Sequence, residues 1–188
     1  MSPLRALLFT AVAAAFILPV PAAVRAEDDD ARGTDLSEKP IQLSLFDPVQ
    51  IFPASTSVKG VRLSLLYGRN MNVKGVDVGI VSRTMKDFKG IQVGIVGLTG
   101  GDFSGVQWNQ VNFVEGEFAG FQASPLANIT DGMRGFQLGM INVSENARGF
   151  QLGFINITEQ LHGLQIGIIN IARAKEKFSV LPLVNWSF

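Results

Sequence analysis

From Pro40 onward the chain repeats one pattern of apolar and polar positions every 14 or 15 residues. The clearest copies are Gly135–Val143 (GFQLGMINV), Gly149–Ile157 (GFQLGFINI) and Gly163–Ile171 (GLQIGIINI). They share a Gly-Φ-Gln-Φ-Gly-Φ-Φ-Asn-Φ core, where Φ is apolar, followed by five or six mostly polar residues. The leading glycine recurs at Gly60, Gly75, Gly90, Gly105, Gly120, Gly135, Gly149 and Gly163. A fixed period of this kind marks a repeat architecture in which each unit buries itself against its neighbours. Gly90–Leu98 and Gly105–Phe113 follow the pattern with substitutions, and the units at Gly60 and Gly75 are looser, with Tyr67 and Ser82 at the Asn position. In the unit at Gly120 one residue is inserted, so the Asn falls one place late, as Asn128; a bulge accounts for it.

Within a unit the alternation of Phe136, Leu138 and Met140 has strand periodicity. Ile141 and Val143 fall in the opposite phase, and a bend after the second glycine would let both sets face inward. A third apolar point recurs two residues before each glycine, at Val73, Phe88, Phe103, Phe118, Met133, Ala147 and Leu161. Three inward apolar sites per unit predict a small three-sided coil. Stacking such coils aligns Gln92, Gln107, Gln122, Gln137, Gln151 and Gln165 in one column, and Asn112, Asn128, Asn142, Asn156 and Asn170 in another. Amides at one position of parallel, in-register strands hydrogen-bond along the stack. The predicted fold is therefore an all-β parallel solenoid of about ten coils, from Pro40 to Phe188, with degenerate end units near residues 40–59 and 178–188 as caps.

One column opposes this. Asp87, Asp102 and Glu117 would stack as like charges, which repel by ~1 kcal/mol per pair in water. An antiparallel meander, or an outer-membrane barrel ending in the aromatic Trp186-Ser187-Phe188, would avoid that and is the alternative.

The repeat, the Ile41–Pro53 entry (IQLSLFDPVQIFP) and the Leu181–Phe188 exit (LPLVNWSF) resemble bacterial exported proteins called surface-repeat-containing proteins, over roughly Pro40 to Phe188. The resemblance implies an envelope or cell-surface location and a non-enzymatic role, and it brings no catalytic or binding residues.

The segment before the repeat fits export. Arg5 precedes the apolar run Ala6–Leu18, and Val24-Arg25-Ala26 forms a small-x-small cleavage site, so residues 1–26 read as a signal peptide. Its removal takes Arg5 and Arg25 from the 16 basic residues, leaving 14 against 16 acidic ones, a net charge of −2. The acidic stretch Glu27–Lys39 then reads as a flexible leader.

Composition narrows the chemistry. A balanced charge speaks against nucleic acid, which demands a basic footprint. The chain has no Cys and a single His, so thiolate sites, Cys nucleophiles and multi-His metal sites are absent. No nucleophile–base–orienter set, P-loop or Gly-x-Gly-x-x-Gly motif occurs, so no catalytic, cofactor or metal residues are assigned. Lys74, Lys89, Arg134, Arg148 and His162 share a column that could attract phosphate or sugar-acid groups, or form a solvated corner. The acidic corners resemble calcium-binding rolls, but lack their nonapeptide. The rank Thr84, Thr99, Thr130, Ser144 and Thr158 could bind ice or a glycan, or reflect β-propensity. Asn128, Asn142 and Asn156 begin glycosylation sequons that the repeat creates by itself.

The functional expectation is an exported structural or interaction module whose regular faces present repeated polar side chains to an envelope polymer or protein, with membrane association left open. Trp108, Asn109 and Gln110 break the apolar pattern mid-stack and are the candidate local groove. The repeat positions taken as structural are Gly90, Gln92, Gly105, Gln107, Gly135, Gln137, Asn142, Gly149, Gln151, Asn156, Gly163, Gln165 and Asn170.

Overall fold

The computed structural model describes residues 37–47 and 49–188. The signal segment and most of the leader lie outside the described residues; the leader's last two residues, Glu38 and Lys39, already belong to the first strand. The strands are β1 (Glu38–Phe46), β2 (Val49–Gln50), β3 (Ser57–Asn70), β4 (Val73–Thr84), β5 (Phe88–Thr99), β6 (Phe103–Trp108), β7 (Val111–Leu152), β8 (Ile155–Ala172) and β9 (Val180–Ser187). The long ones run round corners of the coil, so a single strand serves more than one side.

Neighbouring coils pair in parallel and in register, one repeat apart: Gly60 faces Gly75, Gly75 faces Gly90, Gly90 faces Gly105, and Gly149 faces Gly163. The fold is a parallel β-solenoid of about nine turns. At ~4.8 Å per coil it is roughly 43 Å long. The antiparallel meander is excluded for the body of the stack. Among the described residues, antiparallel pairs occur only at its ends, where β2 folds back on β1 and β9 folds back on β8. The last repeat-like segment, Phe178–Trp186, is thus a cap and not a tenth parallel coil. The charged run Arg173–Lys177 has no residues to fill the coil interior, and the chain reverses after it, with Phe178 and Leu183 at positive φ.

Numbering each unit from its leading glycine as position 1, the apolar residues two places before it form the hydrophobic core. Val58, Val73, Phe88, Phe103, Phe118, Met133, Ala147 and Leu161 stack there, joined by Val114 and Ala172. Phe88 and Phe103 lie ring on ring at 4.5 Å, and Phe103 and Phe118 at 5.4 Å. This column follows the expectation from sequence.

The next strand reverses it. The alternating apolar residues of positions 2, 4 and 6 point outward: Leu138 and Met140 are exposed, whereas Gln137, just before Leu138, is fully buried. Beneath this strand, between its glycines, the interior is too narrow for branched apolar side chains. All eight leading glycines have φ between 128° and 149°, and a Cβ on any of them would overlap the carbonyl oxygen of the coil before, as on Gly120 against Gly105. A Cβ on Gly139, at position 5, would lie 2.7 Å from Asn128 Nδ2 and 3.0 Å from Asn142 Oδ1. Between these glycines only flat amides fit, and burial demands that they be hydrogen-bonded.

They are. Each position-3 amide donates to the coil before: Gln165 Nε2 to Gln151 Oε1 at 2.8 Å, then Gln151 to Gln137, Gln137 to Gln122, Gln122 to Gln107 and Gln107 to Gln92, all at 2.7 Å. Gln92 donates to Asp77 Oδ2 at 2.9 Å, and the buried carboxylate is held bidentately by Arg62 Nε and Nη2, both at 2.8 Å. Arg62 Nη1 also donates to the Arg83 carbonyl. The position-8 amides run the other way: Asn112 donates to Asn128, Asn128 to Asn142, Asn142 to Asn156, each at 2.8 Å, and Asn156 to Asn170 at 2.7 Å. The two ladders therefore have opposite polarity, and their dipoles oppose one another.

Three further details depart from the sequence reading. The column that holds Asn112 contains Gly68 and not Tyr67, because the register shifts between Ser64 and Tyr67. The extra residue near Gly120 is absorbed at Ser124-Pro125-Leu126, where Ser124 Oγ accepts the N–H groups of Leu126 and Ala127 and donates to the Gln110 carbonyl. The acidic column does stack, and each carboxylate has a use: Asp87 Oδ1 accepts the Asp102 N–H at 3.0 Å and Asp102 Oδ1 accepts the Glu117 N–H at 2.8 Å. A backbone donor beside each aspartate, and Arg134 beside Glu117, offset the repulsion anticipated from like charges.

Candidate functional site

The inversion of the position-2-to-6 strand decides what the molecule shows to its surroundings. The polar repeats expected to meet a partner are sequestered: the Gln and Asn ladder residues are fully buried, and so is the hydroxyl rank of Thr84, Thr99, Thr130, Ser144 and Thr158. That rank cannot bind ice or a glycan from outside, and the asparagines of the three sequons sit in the ladder.

What faces outward is an apolar sheet surface. Val61, Val76, Ile91, Val106 and Phe121 expose position 2; Leu63, Val78, Val93, Trp108 and Leu138 expose position 4; Leu65, Ile80, Ile95, Met140, Phe154 and Ile168 expose position 6. Towards the C-terminal end, Phe121, Phe136 and Phe150 stack at 5.4 and 5.2 Å along the same face. Three columns ~6.7 Å apart over the length of the stack span roughly 43 by 20 Å, or about 860 Å². The largest patch on a typical monomer is only about 300–600 Å².

The face carries an indentation. A groove of about 480 Å³ is lined by Trp108, Ala123, Pro125, Leu138, Met140 and Phe154, among others. It forms because the unit at Gly120 carries small Ala123 at position 4 and departs from the repeat at Pro125, leaving the Trp108 ring proud on one side; that ring is 61% exposed. Of the three residues singled out from sequence, only Trp108 lines this groove. Gln110, at position 6, is exposed on the same face but does not line the groove. Asn109 is inside the coil, 1% exposed, and joins the two ladders by donating Nδ2 to Gln92 Oε1 at 3.1 Å and to Asn112 Oδ1 at 2.7 Å. The break in the apolar pattern was a usable signal for the groove; its outline depends on Ala123 and Pro125, which sequence reasoning passed over.

Along one border of the face runs the cationic column. Lys59, Lys74, Lys89, Arg134, Arg148 and His162 stand immediately before the leading glycines, on the outward side of the same strand as positions 2, 4 and 6. Lys59 lies opposite Lys74, and Lys74 opposite Lys89. Two members are partnered by carboxylates, Lys59 with Glu38 at 3.4 Å and Arg134 with Glu117 at 3.1 Å. Among the described residues, no three His, Asp or Glu side chains gather into a metal-binding group.

Comparison with family models, with curated proteins and with solved structures returned no match.

Proposed function

We propose that this chain is a non-enzymatic, exported repeat protein of the bacterial envelope, acting as a structural and interaction module through the outer surface of its solenoid. The observation that carries the reading is the broad apolar face. A frame of buried amide ladders holds its three columns in fixed register, and a surface of that size is built to be covered. The resemblance of the repeat to surface-repeat-containing proteins and the signal-like segment before it point to the same location. The barrel alternative has lost its premise, since the strands of the body pair in parallel, whereas membrane barrels are antiparallel.

Fractionation of the native host, or of a bacterium expressing the full chain, tests this. The expected result is recovery in an envelope fraction with a mature N-terminus at Glu27. An unprocessed protein confined to the cytoplasm would overturn the proposal.

A further inference from the structure

We infer that the apolar face is a lipid-facing surface, on which the solenoid lies flat against a phospholipid layer with its cationic column at the phosphate level. This rests on the envelope reading above and names the partner of that same surface.

The charge pattern selects lipid over a second copy. On the strand that forms the face, position 2 is apolar in every coil from Gly60 to Gly163, and the residue before each glycine is Lys, Arg, His or small. No carboxylate stands at these outward positions between Lys59 and Ile168. A second copy laid face to face would offer this border only more cations or more hydrocarbon. A phospholipid surface offers both things the face lacks: acyl chains for the three columns and phosphates for the border. Stacking Lys59, Lys74 and Lys89 in register one coil apart is unfavourable in isolation, and an anionic layer turns the same spacing into a row of attractive contacts. Carboxylates nearby do not compete evenly for the row. Asp87 and Asp102 each accept the backbone N–H of the next coil, and Glu117 is paired with Arg134.

The groove fits the same occupant. It opens within the apolar face and not at its border. Its volume of about 480 Å³ lies in the range of small-molecule pockets, and it is lined by Leu138, Met140, Phe154 and the Trp108 ring. An acyl chain displaced from the layer is the ligand such walls accept. Trp108, with its large ring and indole N–H, is the kind of side chain that sits at a membrane interface.

The two tryptophans provide the test, because Trp186→Phe leaves Trp108 as the sole tryptophan. That variant of the full chain is mixed with vesicles of phosphatidylcholine and phosphatidylglycerol whose acyl chains carry bromine. The expected result is a blue shift and quenching of Trp108, with partitioning that weakens as salt rises. Lys74→Gln, Lys89→Gln and Arg148→Gln together should lower partitioning about a hundredfold with unchanged far-UV dichroism. Because quenching is read at Trp108, vesicle binding through another segment cannot imitate it. Unquenched Trp108 in vesicle-bound protein would overturn the inference. So would a discrete dimer, seen by sedimentation without lipid, in which Trp108 is already shielded and stays inaccessible to the brominated chains. Either result leaves the envelope location standing, since that is read independently by fractionation.

Discussion

Gly97 and Asn109 have exchanged roles between adjacent coils. Gly97 stands at position 8, where Asn112 stands one coil later, and Asn109 stands at position 5, where the preceding unit has Gly94 and the unit at Gly135 has Gly139. A Cβ on Gly97 would overlap Asn109 Nδ2 and approach Gln107 Nε2 to 2.8 Å. The amide missing from one strand is thus supplied from the strand facing it, and the volume inside the coil is conserved.

Each single change should therefore fail where the pair succeeds. Gly97→Asn crowds a filled interior, and Asn109→Gly deprives Asn112 Oδ1 of its donor; either should cost about 2–3 kcal/mol. The double variant restores the regular repeat and extends the Asn ladder by one coil. Denaturant unfolding should place it within about 1 kcal/mol of the parent, with a coupling energy of about 2 kcal/mol or more.

Arg62 and Asp77 make a second matched pair, this time of charge. Both are fully buried, and the carboxylate ends the Gln ladder by accepting Gln92. Arg62→Gln alone leaves an uncompensated buried anion and should destabilise by about 3–5 kcal/mol. Arg62→Gln combined with Asp77→Gln continues the ladder with neutral amides and should recover most of that loss. Urea melts of the three variants decide it; equal midpoints for the single and double variants would refute this account.

The other end of the Gln ladder is unfinished. Gln165 Oε1 and Asn185 Nδ2 are buried without partners, although the two residues are paired across β8 and β9. Asn185 is one methylene shorter than the ladder's other members, and Lys175 Nζ holds its Oδ1 at 2.9 Å. Asn185→Gln lengthens the reach toward Gln165 and should stabilise the fold by about 1 kcal/mol, visible as a higher melting temperature.

The glycine column should tolerate nothing larger. Gly105→Ala, with φ at 136° and the Gly90 carbonyl in the way, should cost more than about 2 kcal/mol. Ser104→Ala, the adjacent outward position, should change stability by less than about 0.5 kcal/mol. The contrast is measurable by thermal melts of the two variants.

Much of the fold could be read from the repeat itself. Identical residues at a constant period, with amides in columns, imply parallel in-register stacking, and Phe88, Phe103 and Phe118 were recognisable as core from their place before each glycine. The exposed side was misread because alternation does not say which parity is inside. Phe136, Leu138 and Met140 match a buried strand as well as Gln137 and its flanking glycines do. Only the width of the coil, set by glycines that admit no Cβ, assigns the amides to the interior. The groove was legible at Trp108 alone, since its far wall comes from Leu138 and Phe154, one and two coils beyond its unusual unit. Asn109 looked like a surface break because its partner position, Gly97, has no side chain to announce the exchange.

The head-to-tail chaining of both amide ladders makes the number of coils a free variable. Every internal coil offers the next an acceptor on one strand and a donor on the other, and receives the same pair in return. A unit gained or lost by gene duplication between Gly105 and Gly163 would leave these terms unchanged at both junctions, and neither the Asp77 anchor nor the end caps would have to adapt. Copy number then sets the reach of the rod and the area of its apolar face together, in steps of one coil.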